Sequence, residues 1–150
     1  MLKRYENEIP GFNNRMTEIS AAIGLIQLKK LGNWTTKRRS NAAFFDEHLE
    51  GVVLPKVHSL ATHSYHQYTI RTEGHVRSRF ALELSKLGVQ SDVYYPTPVH
   101  RLAAFGQKLD LEVSEAVAAN CLSIPVHQSL SRSDLSKVVE SVNKVASAGV

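Results

Sequence analysis

Apolar side chains recur every three or four residues in the first third of this chain, a spacing typical of amphipathic helices. A first helix is predicted from Met16, with apolar positions at Met16, Ile19, Ile23 and Ile26 that we expect to form a buried stripe. A second helical pattern follows Gly32-Asn33 and ends before Gly51, with apolar positions at Trp34, Ala42, Phe45 and Leu49. Two helices, or one long helix that bends at Gly32-Asn33, both satisfy this pattern.

Strand and helix patterns alternate along the rest of the chain. β-branched and aromatic residues predict strands at His63 to Thr72, at Val89 to Tyr95, and at Leu122 to Val126, where Pro125 indicates an edge or an end. Helices are predicted over 75–87, in short pieces over 101–120, and from Ser131 or Ser133 onward. This order predicts an α/β fold, in which helices pack on one face of a small, mainly antiparallel sheet of about three strands.

Composition indicates an ordinary globular protein. The chain has 150 residues, of which 43% are hydrophobic and 21% charged, enough for one core of moderate size. Its net charge of +4 comes from scattered basic residues, so nucleic acid is not an expected partner. A single cysteine, Cys121, predicts a buried thiol and no internal disulfide. We expect a cytoplasmic protein, because no apolar run has the length of a membrane span and no signal segment begins the chain.

A polar turn precedes the first predicted helix. Gly11 allows unusual backbone geometry, and Asn13, Asn14 and Arg15 place amides and a guanidinium beside it. Such a turn can hold an anion. The alternative is structural: Asn13 or Asn14 caps the helix, and Arg15 is a solvated charge.

Histidines provide the other candidate chemistry. His100 follows Pro96-Thr97-Pro98, a stiff loop that can present an imidazole to a sugar hydroxyl or phosphate, although a loop histidine can equally be a surface residue. His63 and His66 are three residues apart in a predicted strand, so they point to opposite faces. No metal site is expected.

Several blocks of the sequence resemble one protein family. The first block, Gly11 to Leu28, resembles the G-x-N-x-R-M…A-A-x-G…Q-L signature of the DegT/DnrJ/EryC1/StrS family, which comprises aminotransferases that depend on pyridoxal phosphate (PLP) and act on nucleotide-linked keto-sugars. Later blocks resemble the same family in the same order, at Lys37 to Ala42, His63 to Arg71, Tyr95 to Phe105, and Leu122 to Asp134.

The resemblance implies the C-terminal small domain of a fold type I aminotransferase and the helix before it. Residues 1–10 would be a shortened linker, 11–50 the connecting helices and 51–150 the small α/β domain, without the large PLP-binding domain. By resemblance, Asn13 reaches the PLP phosphate of the partner subunit in a homodimer. Arg15 shapes the substrate pocket, and His100 lies against the nucleotide-sugar.

The same resemblance implies that catalysis needs more than this chain. The Schiff-base lysine of the family belongs to the large domain, so no residue here is expected to be catalytic, and the chain alone is expected to be inactive and to bind no PLP. The intact protein would move an amino group, from glutamate, to a keto-sugar. Two alternatives are a non-catalytic nucleotide-sugar-binding module, using Arg15, Arg71, His100 and Arg101, and an interaction domain that associates through its N-terminal helices.

Overall fold

The first helical segment is continuous in the computed structural model, which describes residues 15–149. Helix α1 spans Glu18–His48; Thr17 caps it by accepting a hydrogen bond from the Ser20 N–H. It passes through Gly32 without interruption. An interior glycine costs only about 1 kcal/mol relative to alanine, which the helical hydrogen bonds on either side offset. One long helix, of the two alternatives, is confirmed. Asn13 and Asn14, which were expected to cap it, lie outside the described residues.

The sheet in the described residues has two antiparallel strands. Strand β1 spans Tyr68–Arg71 and β2 spans Cys121–Ile124, with Tyr68 opposite Ile124 and Arg71 opposite Cys121. Single antiparallel bridges extend it on each side, from Val53 to Arg71 and from Asp92 to Ser123. The small antiparallel sheet is therefore confirmed, and it is narrower than the expected one.

Two strand predictions were too long for a shared reason, which is local side-chain bonding to the backbone. The expected strand at Val89 to Tyr95 is reduced to the bridge at Asp92, whose carboxylate accepts the Val93 N–H. Between His63 and Tyr68, Tyr65 has φ +48° and its N–H donates to His63 Nδ1. Such bonds remove donors from the ladder, so pairing is limited to four residues in β1.

Three further α-helices lie in the described residues: α2 (Arg77–Lys86), α3 (Glu112–Asn120) and α4 (Arg132–Ser147). Helix α4 begins at a capping box in which Ser131 and Asp134 bond each other's backbone N–H, which confirms the predicted start. Helix α2 stops at Gly88, which has φ +76°. None of the helices in the described residues is long and apolar enough to cross a membrane.

The two faces of the sheet differ. Residues opposite each other in an antiparallel pair share a face, so Tyr68 and Ile124 lie together with Ile70 and Leu122, and all four are buried. They pack in one core cluster with Phe45 of α1, Phe80 and Leu84 of α2, and Val138 and Val142 of α4. The opposite face carries Thr69, Arg71, Cys121 and Ser123.

The first half of α1 does not pack on this core. The buried residues of α1 all lie in its second half: Asn41, Ala42, Phe44 and Phe45. Met16 and Ile19 are 71% and 76% exposed, and Ile23 and Ile26 are also exposed. The expected burial of this stripe is therefore wrong within the described chain, because no described element covers it.

Candidate functional site

A cavity of about 740 Å³ lies against the second face of the sheet. Thr69, Cys121 and Ser123 form its floor, and helix α3 and the segment 94–111 form its walls. Its volume is within the range of small-molecule sites, and its mixture of apolar walls with few polar groups is typical of them. The cavity and the core therefore use opposite faces of one small sheet.

The proline-containing segment places His100 in the cavity wall. Tyr95 has φ +61°, which turns the chain after β-bridge residue Asp92, and Pro98 then begins a short 3-10 helix, Val99–Arg101. The Arg101 N–H donates to the Pro98 carbonyl. Within this turn Val99 is exposed, whereas His100 is 8% exposed. The alternative that His100 is an ordinary surface residue is wrong.

Glu115 of α3 holds this turn in place. Its Oε1 lies 3.0 Å from His100 Nε2, and it accepts hydrogen bonds from Arg101 Nη2 at 2.8 Å and Arg101 Nε at 3.2 Å. The same oxygen accepts the Leu111 N–H at 3.3 Å, and Arg101 also pairs with Asp110 at 3.0 Å. The bond from His100 lowers the pKa of Glu115 most, followed by those from Arg101 and Leu111, and together they bring it to about 2.

Sequence reasoning missed Glu115. The residue lies 15 positions after His100, on a separate helix, and helical or strand periodicity relates only near neighbours. A glutamate in the first turn of a short helix also has an ordinary explanation, since acidic residues there interact favourably with the helix dipole. Only the packing of α3 against the 3-10 turn brings the two side chains together.

The pairing of Glu115 predicts a measurable acid dependence. Its folded pKa of about 2 lies below the ordinary value of 4.5, so the carboxylate stabilises the fold above about pH 4.5, and this contribution is lost as the pH falls towards 2. Glu115→Gln should therefore be less stable than the wild type at pH 7, and the difference should shrink as the pH falls. Urea denaturation at a series of pH values measures it.

Glu112→Gln is the matched control for this prediction, because Glu112 is exposed in the first turn of the same helix. It should show little of the pH-dependent difference. A difference between Glu115→Gln and wild type that stays constant from neutral to acid pH would contradict the assignment of the lowered pKa to Glu115.

The other predicted site residues lie elsewhere. Arg15 is exposed just before α1 and does not line the cavity, so the structure does not bring it together with His100. Asn13 lies outside the described residues.

Two arginines of the alternative anion-binding set are paired with carboxylates. Arg71 pairs with Glu73 at 3.0 Å, and Arg101 pairs with Glu115 and Asp110. Their charges are thus matched by carboxylates, which disfavours that set as an anion site.

Neither Cys121 nor the pair His63 and His66 forms a reactive or metal-binding site in the described residues. Cys121 is partly rather than fully buried, and burial raises the pKa of its thiol, which keeps it protonated and a poor nucleophile. His63 Nδ1 accepts the Tyr65 N–H. Across the described residues, no group of three or more His, Cys, Asp or Glu side chains could hold a metal ion.

The lining of the cavity also bears on PLP. An enzyme that uses PLP holds it through a lysine amine. Lys108 lies in the segment that forms the wall, yet its side chain is not part of the lining, and no other lysine among the described residues is. The described residues therefore do not by themselves fit PLP as a covalently held group.

Several solved structures to which this chain is similar are aminotransferases. The aminotransferase TlmJ from Streptoalloteichus hindustanus matches with a TM-score of 0.80 and 31% identity, over 88% of this chain and 37% of its own. Residues 1–143 match the DegT/DnrJ/EryC1/StrS aminotransferase family, and the chain belongs to that family. The resemblance inferred from the sequence blocks is thereby confirmed.

Two sequence relatives illustrate the extent of the similarity. The dTDP-3-amino-3,6-dideoxy-alpha-D-galactopyranose transaminase of Aneurinibacillus thermoaerophilus is 32% identical over 95% of this chain and 40% of its own length. The dTDP-3-amino-3,4,6-trideoxy-alpha-D-glucose transaminase of Streptomyces venezuelae is 30% identical over 96% of this chain and 39% of its own. This chain thus spans about two fifths of the length of these relatives.

Proposed function

We propose that this chain is the C-terminal part of a PLP-dependent aminotransferase that acts on a nucleotide-linked keto-sugar. The observation that carries the proposal is the ligand-sized cavity, whose wall is formed by the proline-containing segment that resembles the family and ends in the buried His100. In this proposal residues 1–10 are a linker, 11–50 connect two domains, and 51–150 are the small domain that closes one side of the active site.

The proposed roles follow from side-chain chemistry and family membership. His100 contacts the nucleotide-linked sugar from the cavity wall. Arg15 pairs with an anionic group of the substrate, for which a guanidinium offers two parallel donors. Asn13 donates an amide hydrogen bond to the PLP phosphate bound by the neighbouring subunit. PLP, held by the remainder of the intact protein, supplies the electron sink that amino transfer requires.

We further propose glutamate as the amino donor and C3 of the sugar as the acceptor. The names of the two relatives support the second choice, because both are transaminases of dTDP-linked 3-amino sugars. The contribution of this chain would be to bind and orient the sugar, since the described cavity lacks a lysine. We also propose a cytoplasmic location for the intact enzyme, in keeping with the single cysteine of this chain, which can form no internal disulfide.

A homodimer is part of the same proposal. The first half of α1 exposes large apolar side chains around much of its circumference: Met16, Ile19, Ile23, Leu25, Ile26, Leu28 and Leu31. So many exposed large apolar side chains on one helix mark an interface. A second copy covering part of this surface would also place Asn13 and Arg15, which precede α1, near the subunit boundary, as their proposed roles require.

A chimaera tests the proposed function. The C-terminal two fifths of the Aneurinibacillus relative is replaced by this chain, so that the relative's own remainder supplies the PLP-binding part. The chimaera should transaminate a dTDP-linked 3-keto-sugar with glutamate and have the mass of a dimer by light scattering. The 150-residue chain alone should do no transamination with added PLP.

Each measurement has a contrary outcome. A chimaera that folds and binds PLP but turns over no nucleotide-linked keto-sugar would overturn the proposed function. Transamination by the isolated chain would show that it is not a part that needs a second domain. Saturable binding of dTDP-glucose by the isolated chain, together with an inactive chimaera, would instead support the non-catalytic binding module.

A further inference from the structure

One carboxylate oxygen organises the wall of the cavity. Glu115 Oε1 meets three different residues, namely His100, Arg101 and Leu111, at distances of 2.8 to 3.3 Å. Arg101 is in turn tied to Asp110. The convergence of several donors on one acceptor fixes the position of Glu115 and of the 3-10 turn together, because movement of either element breaks several bonds.

We propose that Glu115 is a positioning residue for His100: its carboxylate holds the Nε2–H of the imidazole and leaves Nδ1 as the nitrogen that accepts a hydrogen bond from a hydroxyl of the bound sugar. The proposal rests on the proposed function, in which His100 contacts a nucleotide-linked sugar. Glu115 acts through His100 and is not itself assigned a contact with the substrate.

The direction of the hydrogen bonds follows from the partners. An ionised carboxylate only accepts hydrogen bonds, so the ring nitrogen at 3.0 Å from Oε1, which is Nε2, carries a proton. In the neutral imidazole the other nitrogen, Nδ1, is then an acceptor. Sugar hydroxyls are donors that such an acceptor recognises. The carboxylate therefore selects which of the two ring nitrogens can accept a hydrogen bond from the ligand.

The surroundings of the pair strengthen this selection. Arg101, from the same turn, and the Leu111 N–H, from the start of α3, occupy Oε1 alongside His100, so the carboxylate remains ionised and anchored. His100 itself is 8% exposed, so its ring has little freedom to exchange its two nitrogens by rotation. A mobile, exposed histidine would lose this selectivity.

Nuclear magnetic resonance of the His100 ring provides the first test, on the 150-residue chain. In the wild type the Nε2–H proton should exchange slowly with water and give a resolved signal, and Glu115→Ala should abolish it. Glu112→Ala, on the exposed side of the same helix, should leave the signal unchanged. A signal that persists in Glu115→Ala, or a proton found on Nδ1 instead, would overturn the proposal.

A double-mutant cycle on kcat/KM of the chimaera provides the second test. Glu115→Ala should lower kcat/KM for the nucleotide-linked keto-sugar by about tenfold, the effect of losing one well-placed hydrogen bond, when His100 is present. Glu115→Ala should have no further effect on kcat/KM in the His100→Ala background, because Glu115 acts by positioning the His100 ring. Equal losses in both backgrounds would mean that Glu115 only supports α3, and the proposal would be wrong.

The two tests separate the two proposals. An inactive chimaera together with a protected Nε2–H that depends on Glu115 would overturn the proposed function and the sugar contact, while the placement of the ring by Glu115 would stand. An active chimaera whose His100 ring is insensitive to Glu115→Ala would support the proposed function and overturn the positioning role.

Discussion

Replacement of Phe45 by alanine should lower the free energy of unfolding by about 3–5 kcal/mol, the cost of removing a large aromatic side chain from a packed core. Phe45 is fully buried on the inner side of α1, and its ring meets the Tyr68 ring edge-on at 5.2 Å between centroids. The contact joins α1 to β1 within the core cluster. Urea denaturation followed by circular dichroism measures the loss.

Phe105→Ala is the matched control for Phe45→Ala. The same side chain is removed, but Phe105 is 51% exposed in the cavity wall, so the loss should be below about 1 kcal/mol. If Phe45→Ala does not fold, Phe45→Leu leaves a smaller void and should give an intermediate loss. Equal losses for the two alanine variants would contradict the assignment of Phe45 to the core.

Gly51→Ala should destabilise the fold by about 2–5 kcal/mol, through two separate effects. Gly51 has φ +71°, a left-handed conformation that costs a residue with a Cβ about 1–2 kcal/mol. In addition, a Cβ at this position would lie 2.7 Å from the Cβ of Ala146 on α4. Both atoms are rigidly attached to backbone, so relief requires α4 to move away from the end of α1. Urea denaturation measures the loss.

Gly74→Ala separates the two effects. Gly74 also has a positive φ, of +85°, but a Cβ added there meets nothing within 4 Å. Its loss should therefore be about 1–2 kcal/mol, from conformation alone. The excess cost of Gly51→Ala reports the steric conflict with Ala146. Equal losses at the two positions would show that α4 accommodates the added methyl group without cost.

Because the two faces of the sheet have different roles, substitutions on one face need not disturb the other. Tyr68 and Ile70 serve the core, whereas Thr69, between them on the same strand, faces the cavity. Side chains that line the cavity can therefore be replaced with little loss of core packing. This separation suits a family whose members carry the names of transaminases for different sugars.

The sequence by itself determined helices α2 and α4, the sheet type and the family. Apolar periodicity predicted α2 and α4 closely, and the Ser131 and Asp134 side chains marked the start of α4, because helices and their caps depend on residues within one or two turns. The spaced motif blocks were specific enough to identify the DegT/DnrJ/EryC1/StrS family, which residues 1–143 match. They also directed attention to His100, whose role in a sugar site stays a prediction.

The tertiary structure decided what depends on residues far apart in sequence. The strands are short because Asp92 and His63 bond nearby backbone N–H groups in the folded chain, a competition that residue propensities do not show. The burial of His100 and its partner Glu115 depend on α3 packing against the 3-10 turn. The exposure of Met16 and Ile19 likewise follows from where α1 ends its contact with the core, since an apolar pattern predicts that a face is covered but not which surface covers it.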